Sequence, residues 1–236
     1  MQRRAEARTL NDGADFDIRK VKEILMKKTH INPKKLLPLK IIALSVLWLI
    51  LAVAGLWLVS AYENTPGIAA APSAEFPAAS QIKPIAGRPT LVMLAHPHCP
   101  CTRASMGELE LLMAQTQGRV TAYVLFLKPP GFTDDWEKTD LWQTASDIPD
   151  VQVVQDKDGN EAELFNAATS GQTFLYDPDG RLIFKGGITS ARGHSGDNAG
   201  RSAIVALLNE GEAQQIETAV YGCPLFNRNS DCPMPQ

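Results

Sequence analysis

The spacing of apolar and polar positions divides the chain into stretches of distinct texture. Residues 1–40 are polar and charged, with one modest helical period around 15–28. From 41 to 62 no side chain carries a charge, and the run IIALSVLWLILAVAGLWLVSAY is rich in Leu, Ile, Val and Trp. As a helix rising about 1.5 Å per residue, such a run reaches roughly 30 Å, the thickness of a bilayer's hydrocarbon layer. A soluble helix would show a polar face, and this one has none. A transmembrane helix is therefore predicted over 41–62. Residues 63–88 hold Pro66, Gly67, Pro72, Pro77 and Pro84 among Ala and Ser, which is the composition of an extended linker.

After Arg88 the pattern becomes that of a folded domain. The continuous apolar run at 91–95 predicts a strand buried on both faces. At 102–117, Met106, Leu109, Leu112 and Met113 recur at helical spacing. A strand is predicted at 120–127, then a helix at 134–146, opened by acidic residues at its positive dipole end. A short strand at 151–154 and a short helix at 160–168 come next. Two strands, 173–176 and 181–184, are joined by Asp177-Pro178-Asp179-Gly180, a sequence suited to the turn of an antiparallel hairpin. A Gly-rich loop, 186–200, precedes an amphipathic helix at 201–214. The order β-α-β-α-β-α-β-β-α predicts an α/β domain over 89–216, a mixed sheet flanked by helices, with a Cys-containing extension at 217–236.

Charge adds orientation. The formal net charge of −3 leaves no basic footprint for nucleic acid. Lys27, Lys28, Lys34, Lys35 and Lys40 crowd the N-terminal flank of the apolar run, whereas Glu63 stands on the other. The positive-inside rule then puts the N-terminus in the cytoplasm and the domain outside, in a compartment that permits disulfides. The run is longer than a signal-peptide core and residues 1–40 precede it, so an uncleaved single-pass anchor is expected.

The chemistry concentrates at His96-Pro97-His98-Cys99-Pro100-Cys101-Thr102-Arg103, between a buried strand and the start of a helix. Helix-terminal N–H groups and the dipole favour a thiolate there, the form that exchanges disulfides and binds soft metals. His96 and His98 flank it, and an imidazole beside a thiolate can tune or accept its proton. Of the four cysteines, Cys223 and Cys232 lie beyond the last helix. A structural disulfide between them is the expectation, with a resolving thiol reaching back to Cys99 as the other reading, because four cysteines allow three pairings. The loop with Arg192, His194, Ser195 and Asp197 is too long for a plain connector and is expected near the cysteines. Zinc knuckles and a phosphate loop are absent from the spacing.

These residues resemble a family. HCPCTRASMGEL is similar to the site of membrane-tethered thioredoxin-like reductases of the bacterial periplasm, with Cys99 on their first cysteine and Thr102 on the second. Arg103, Ala104, Met106, Glu108 and Leu109 match that motif, and TFLYDPDGRLIF is similar to the family's last hairpin. YENTPG, HPHCPCTRAS, GGITSARGHSGDNAG and YGCPLF further resemble RedB-like membrane proteins. The resemblance implies a thioredoxin-like fold and thiol–disulfide exchange with protein thiols or disulfides, using Cys99, Cys101, His98, His96 and Thr102. Gln172, Thr173 and His194 would form the substrate side. The sequence departs from the family in its Cys-Pro-Cys spacing and in having Gly171-Gln172-Thr173 where a proline is usual. No cofactor is required by this reading. The alternative is a copper(I) site or metallochaperone using Cys99, Cys101 and His194, and monothiol peroxidase chemistry at Cys99 is a third possibility.

Overall fold

The computed structural model describes residues 19, 22–23, 33–68 and 71–226. The helical period expected at 15–28 falls outside them apart from Arg19, Lys22 and Glu23, which are helical. The chain divides into two compact units, 1–57 and 58–236.

The first unit is dominated by helix α1, Pro33–Glu63, whose last turns belong to the second unit. Its Pro38–Glu63 portion has 26 residues, a mean hydropathy of 2.6 and no burial within the protein. Leu44, Trp48 and Leu51 are all exposed. By length and composition this helix can cross a membrane.

The second unit is built on five strands in the order β3-β2-β1-β4-β5. These are β1 (Thr90–Ala95), β2 (Thr121–Lys128), β3 (Val151–Lys157), β4 (Gln172–Tyr176) and β5 (Leu182–Gly186). β1, β2 and β3 run parallel, while β4 and β5 are antiparallel additions. Between them come α2 (Pro100–Thr116), α3 (Asp140–Ser146) and α4 (Asn160–Leu164), and α5 (Ala199–Glu210) closes the set. β1 is buried along its whole length because it lies mid-sheet. Leu91, Met93 and Ala95 meet Met106, Leu109 and Leu112 of α2 on one face. Val92 and Leu94 meet Phe165, Phe174 and Tyr176 on the other. Each fully buried Val, Leu, Met or Phe among them contributes about 1.5–3 kcal/mol.

Element boundaries differ from the sequence expectation for local reasons. The helix expected from 134 begins at Asp140, since Asp134 pairs with Lys128 at 2.9 Å and Asp135 takes a left-handed φ of 73°. The helix expected through 168 stops at Leu164, where Asn166 turns left-handed. α5 ends at Glu210 because Gly211 adopts φ 85° and donates to Leu207 O. It begins under Asn198, whose side chain accepts from Arg201 N at 2.8 Å. In the hairpin, Asp177 Oδ1 accepts from the N–H groups of Asp179 and Arg181, and Gly180 supplies φ 81°.

Residues 71–88 carry almost no regular structure, yet they are fastened to the sheet. Phe76 meets Phe165 and Tyr176 edge-on at 5.4 and 5.2 Å. Ile82 is buried, and Ser80 donates to Glu161 at 2.5 Å.

Candidate active site

Two loops meet at the C-terminal end of β1. The first carries His96 to Cys101 into α2. Cys99 is the N-cap residue, with φ −84° and ψ 119°, and Pro100 occupies the first helical position, where a missing N–H costs nothing. Cys99 N donates to His96 O, and Thr102 N donates to Cys99 O. The second loop, 168–171, leads into β4 and is tied to β1 by Gly171 N donating to Leu94 O at 2.7 Å.

Against that second loop lies segment 220–225, paired antiparallel to it. Ser170 N donates to Cys223 O at 2.8 Å, Leu225 N donates to Ala168 O at 2.9 Å, and Thr169 bridges Pro224. Gly222 permits this approach, since a Cβ there would stand 2.0 Å from Ser170 O. The result is that Cys223 Sγ lies 2.9 Å from Cys99 Sγ, across 124 residues of sequence. Together with Cys101 these sulfurs form a cluster, all within 4.8 Å of one another. Cys99, Cys101 and Cys223 are 2%, 9% and 8% exposed, so the cluster is shielded but reachable.

The electrostatics single out Cys99. Its thiol is drawn far below the ordinary range by the hydrogen bond from Cys101, then by the Cys223 side chain and N–H, with a lesser contribution from Thr102, against the cost of burial. For Cys101, the bond with Cys223 lowers the pKa. The bond to Cys99, burial and the Cys99 charge together outweigh this and raise it.

Thr102 is buried, its hydroxyl 2.8 Å from Ser170 Oγ, and Ser170 Oγ in turn accepts from His96 N. His96 is held towards its neutral form by burial, with the Cys99 charge opposing and His98 adding to the effect. Its Nδ1 accepts from His98 N at 3.2 Å. The His98 ring turns to Trp136 at 4.5 Å, and its Nε2 lies 3.1 Å from Trp136 O. Gln172 and Thr173 are buried in β4. The side chain of Gln172 accepts from Ala168 N, and that of Thr173 donates to Gly171 O, so both brace the loop behind Cys223. His194 Nε2 lies 3.2 Å from Glu63 Oε2. Cys232 lies outside the described residues.

Two residues the sequence did not single out for these roles organise the surroundings. Arg192 donates to Gly222 O and Thr65 O and sits 5.1 Å over the Tyr62 ring, and its charge also acts on Cys101. Glu108, fully buried on α2, accepts from Gly196 N at 2.7 Å, Asn198 Nδ2 at 2.9 Å and the Arg201 guanidinium. That carboxylate fastens the 186–200 loop to the helix that carries the cysteines. The only hint of it in the sequence was the match of Glu108 to the reductase motif.

The sheet order β3-β2-β1-β4-β5, a parallel β-α-β unit followed by a β-hairpin and helix, carries the cysteines where β1 enters α2. The fold is thioredoxin-like. No protein-family profile matches the chain, and no curated protein matches it. Among solved structures it is similar to an uncharacterized conserved protein from Geobacillus kaustophilus, at 18% identity and a TM-score of 0.51, over 69% of this chain and 92% of that one. It is likewise similar to a hypothetical protein from Sinorhizobium meliloti, at 18% identity and a TM-score of 0.50, over 68% and 93%. A thioredoxin-like protein in its oxidized form overlaps at 14% identity and a TM-score of 0.42, over 60% of this chain and 96% of that one. These likenesses concern the fold alone.

Proposed function

We propose that this chain is a membrane-tethered thiol–disulfide oxidoreductase acting on protein thiols or disulfides from the extracytoplasmic side. The observation that carries the reading is the contact of Cys99 Sγ with Cys223 Sγ at 2.9 Å, at the N-terminus of a helix. The lysines before the apolar run support the orientation, and the resemblance to periplasmic reductases and RedB-like proteins supports the compartment.

In the reductive direction, Cys99 thiolate attacks one sulfur of a substrate disulfide. A Cys99–substrate disulfide forms, and the other substrate sulfur leaves as thiolate, taking the proton of Cys223. The Cys223 thiolate then attacks Cys99 Sγ, forming Cys99–Cys223 and releasing the second substrate thiolate, which is protonated by water. Two electrons pass to the substrate, and the reverse sequence oxidises a dithiol. Cys101 stabilises the Cys99 thiolate by hydrogen bonding, and Thr102 supports the same sulfur. His96 and His98 shape the loop before it.

Full-length chain in detergent, equilibrated in graded glutathione buffers, alkylated and mapped by mass spectrometry, tests this. A Cys99–Cys223 bond that forms and breaks reversibly, with exchange abolished in Cys99→Ser, is the expected result. Undiminished exchange in Cys99→Ser overturns it.

A further inference from the structure

Three sulfurs grouped around one point can hold a soft cation as well as exchange disulfides. We propose that Cys99, Cys101 and Cys223 form a three-thiolate site for copper(I). Their Sγ atoms already lie within 4.8 Å of one another. A trigonal ion bound at about 2.3 Å from each sulfur sets them about 4 Å apart, so the 2.9 Å Cys99–Cys223 contact has to open to admit it.

The donor set selects the metal. Among the described residues no His, Asp or Glu joins the sulfurs in this group. Magnesium and calcium require oxygen ligands, whereas zinc completes a tetrahedron with a fourth ligand, from protein in structural sites and from water in catalytic ones. A soft monovalent ion satisfied by sulfur alone fits three thiolates. Burial to 2%, 9% and 8% exposure keeps water from competing, while Cys101 borders a cleft shared with Tyr62, Arg192 and Gly193 that gives access. Three thiolates and one copper(I) leave a net negative charge. The Arg192 guanidinium, anchored on Gly222 O next to Cys223, and the positive end of α2 face that charge. His194, the alternative ligand considered from sequence, is instead engaged with Glu63.

The geometry also makes metal and disulfide mutually exclusive, because a Cys99–Cys223 bond removes two of the three ligands.

The test is an anaerobic titration of the reduced full-length chain with copper(I) against a chromophoric chelator, with zinc(II) run in parallel. The expected result is one copper(I) per chain and a sulfur-to-copper charge-transfer band in the ultraviolet. Bound copper should protect Cys99, Cys101 and Cys223 together from alkylation. Cys223→Ser should weaken binding at least about tenfold, and His194→Ala should leave it unchanged. If Cys223→Ser does not fold by circular dichroism, Cys101→Ser carries the same expectation. Copper binding unaffected by these serine variants, weakened by His194→Ala, or matched by zinc(II) overturns the proposal. Failure here leaves glutathione-buffer exchange intact, and stoichiometric copper binding without exchange would count against the oxidoreductase reading alone.

Discussion

Glu108→Gln is the sharpest probe of how the site is held. The Glu108 carboxylate has no solvent exposure and receives three donors, the Gly196 amide, the Asn198 side chain and the Arg201 guanidinium. Glutamine keeps the shape but turns one acceptor oxygen into an NH2 group that faces a donor. It also leaves Arg201, whose side chain is 11% exposed, without its buried counter-charge. Breaking one side of such a pair costs about 3–5 kcal/mol. At about 2–4 °C per kcal/mol for a domain of this size, the melting temperature should fall by roughly 6–20 °C. Thermal unfolding of the full chain in detergent, followed by near-ultraviolet circular dichroism, measures this. Limited proteolysis at 186–200 reports whether the loop loosens first. The double variant Glu108→Gln/Arg201→Met removes the stranded charge and should recover at least about 1 kcal/mol relative to the sum of the singles. A melting shift of Glu108→Gln below about 3 °C, or strict additivity in the double variant, refutes the reasoning.

Gly222→Ala places a Cβ 2.0 Å from Ser170 O and should push segment 220–225 off the 168–171 loop. Cys99–Cys223 bond formation in redox buffer should slow at least about tenfold with little change in Cys99 alkylation, and an unchanged rate would contradict the placement. Asp156 is buried, and that burial raises its pKa to about 6, with the Glu161 and Ala162 amides opposing and the Glu161 charge adding. The folded state therefore takes up a proton that an ordinary unfolded carboxyl, at about 3.9, gives up sooner. The stability from this group is full below pH 4 and is lost as pH rises through 6, by roughly 3 kcal/mol. Relative to Asp156→Asn, wild type should lose stability across that window in urea denaturation, and parallel pH profiles would refute the assignment.

Much of the fold could be read from local pattern because the controlling interactions are local or periodic. The run at 91–95 announced a strand with two buried faces, and Asp177-Pro178-Asp179-Gly180 announced its hairpin. The nine-element order of the domain followed. Helix ends were harder, since Asp135 and Asn166 turn left-handed on contacts that no composition encodes. At the site, Cys99 and Cys101 were conspicuous in their strand–helix setting, whereas the contact of Cys223 with Cys99 was one pairing among several. It depends on Gly222 fitting against Ser170 O, a clearance visible only in three dimensions. Phe76 and Ile82 read as linker because isolated apolar residues among prolines give no period, yet both pack on the sheet.

The sequence distance between Cys99 and Cys223 ties oxidation to folding. A bond between neighbours such as Cys99 and Cys101 closes a ring so small that it barely restricts an unfolded chain. A bond between Cys99 and Cys223 closes a loop spanning 124 residues, and the lost freedom of the unfolded chain is worth about 5 kcal/mol. Oxidised at that pair, the domain would resist unfolding far better than when reduced. By the same cycle, only a folded domain brings the two sulfurs together, so a chain that loses its fold also loses its capacity to store the electrons' absence as that bond.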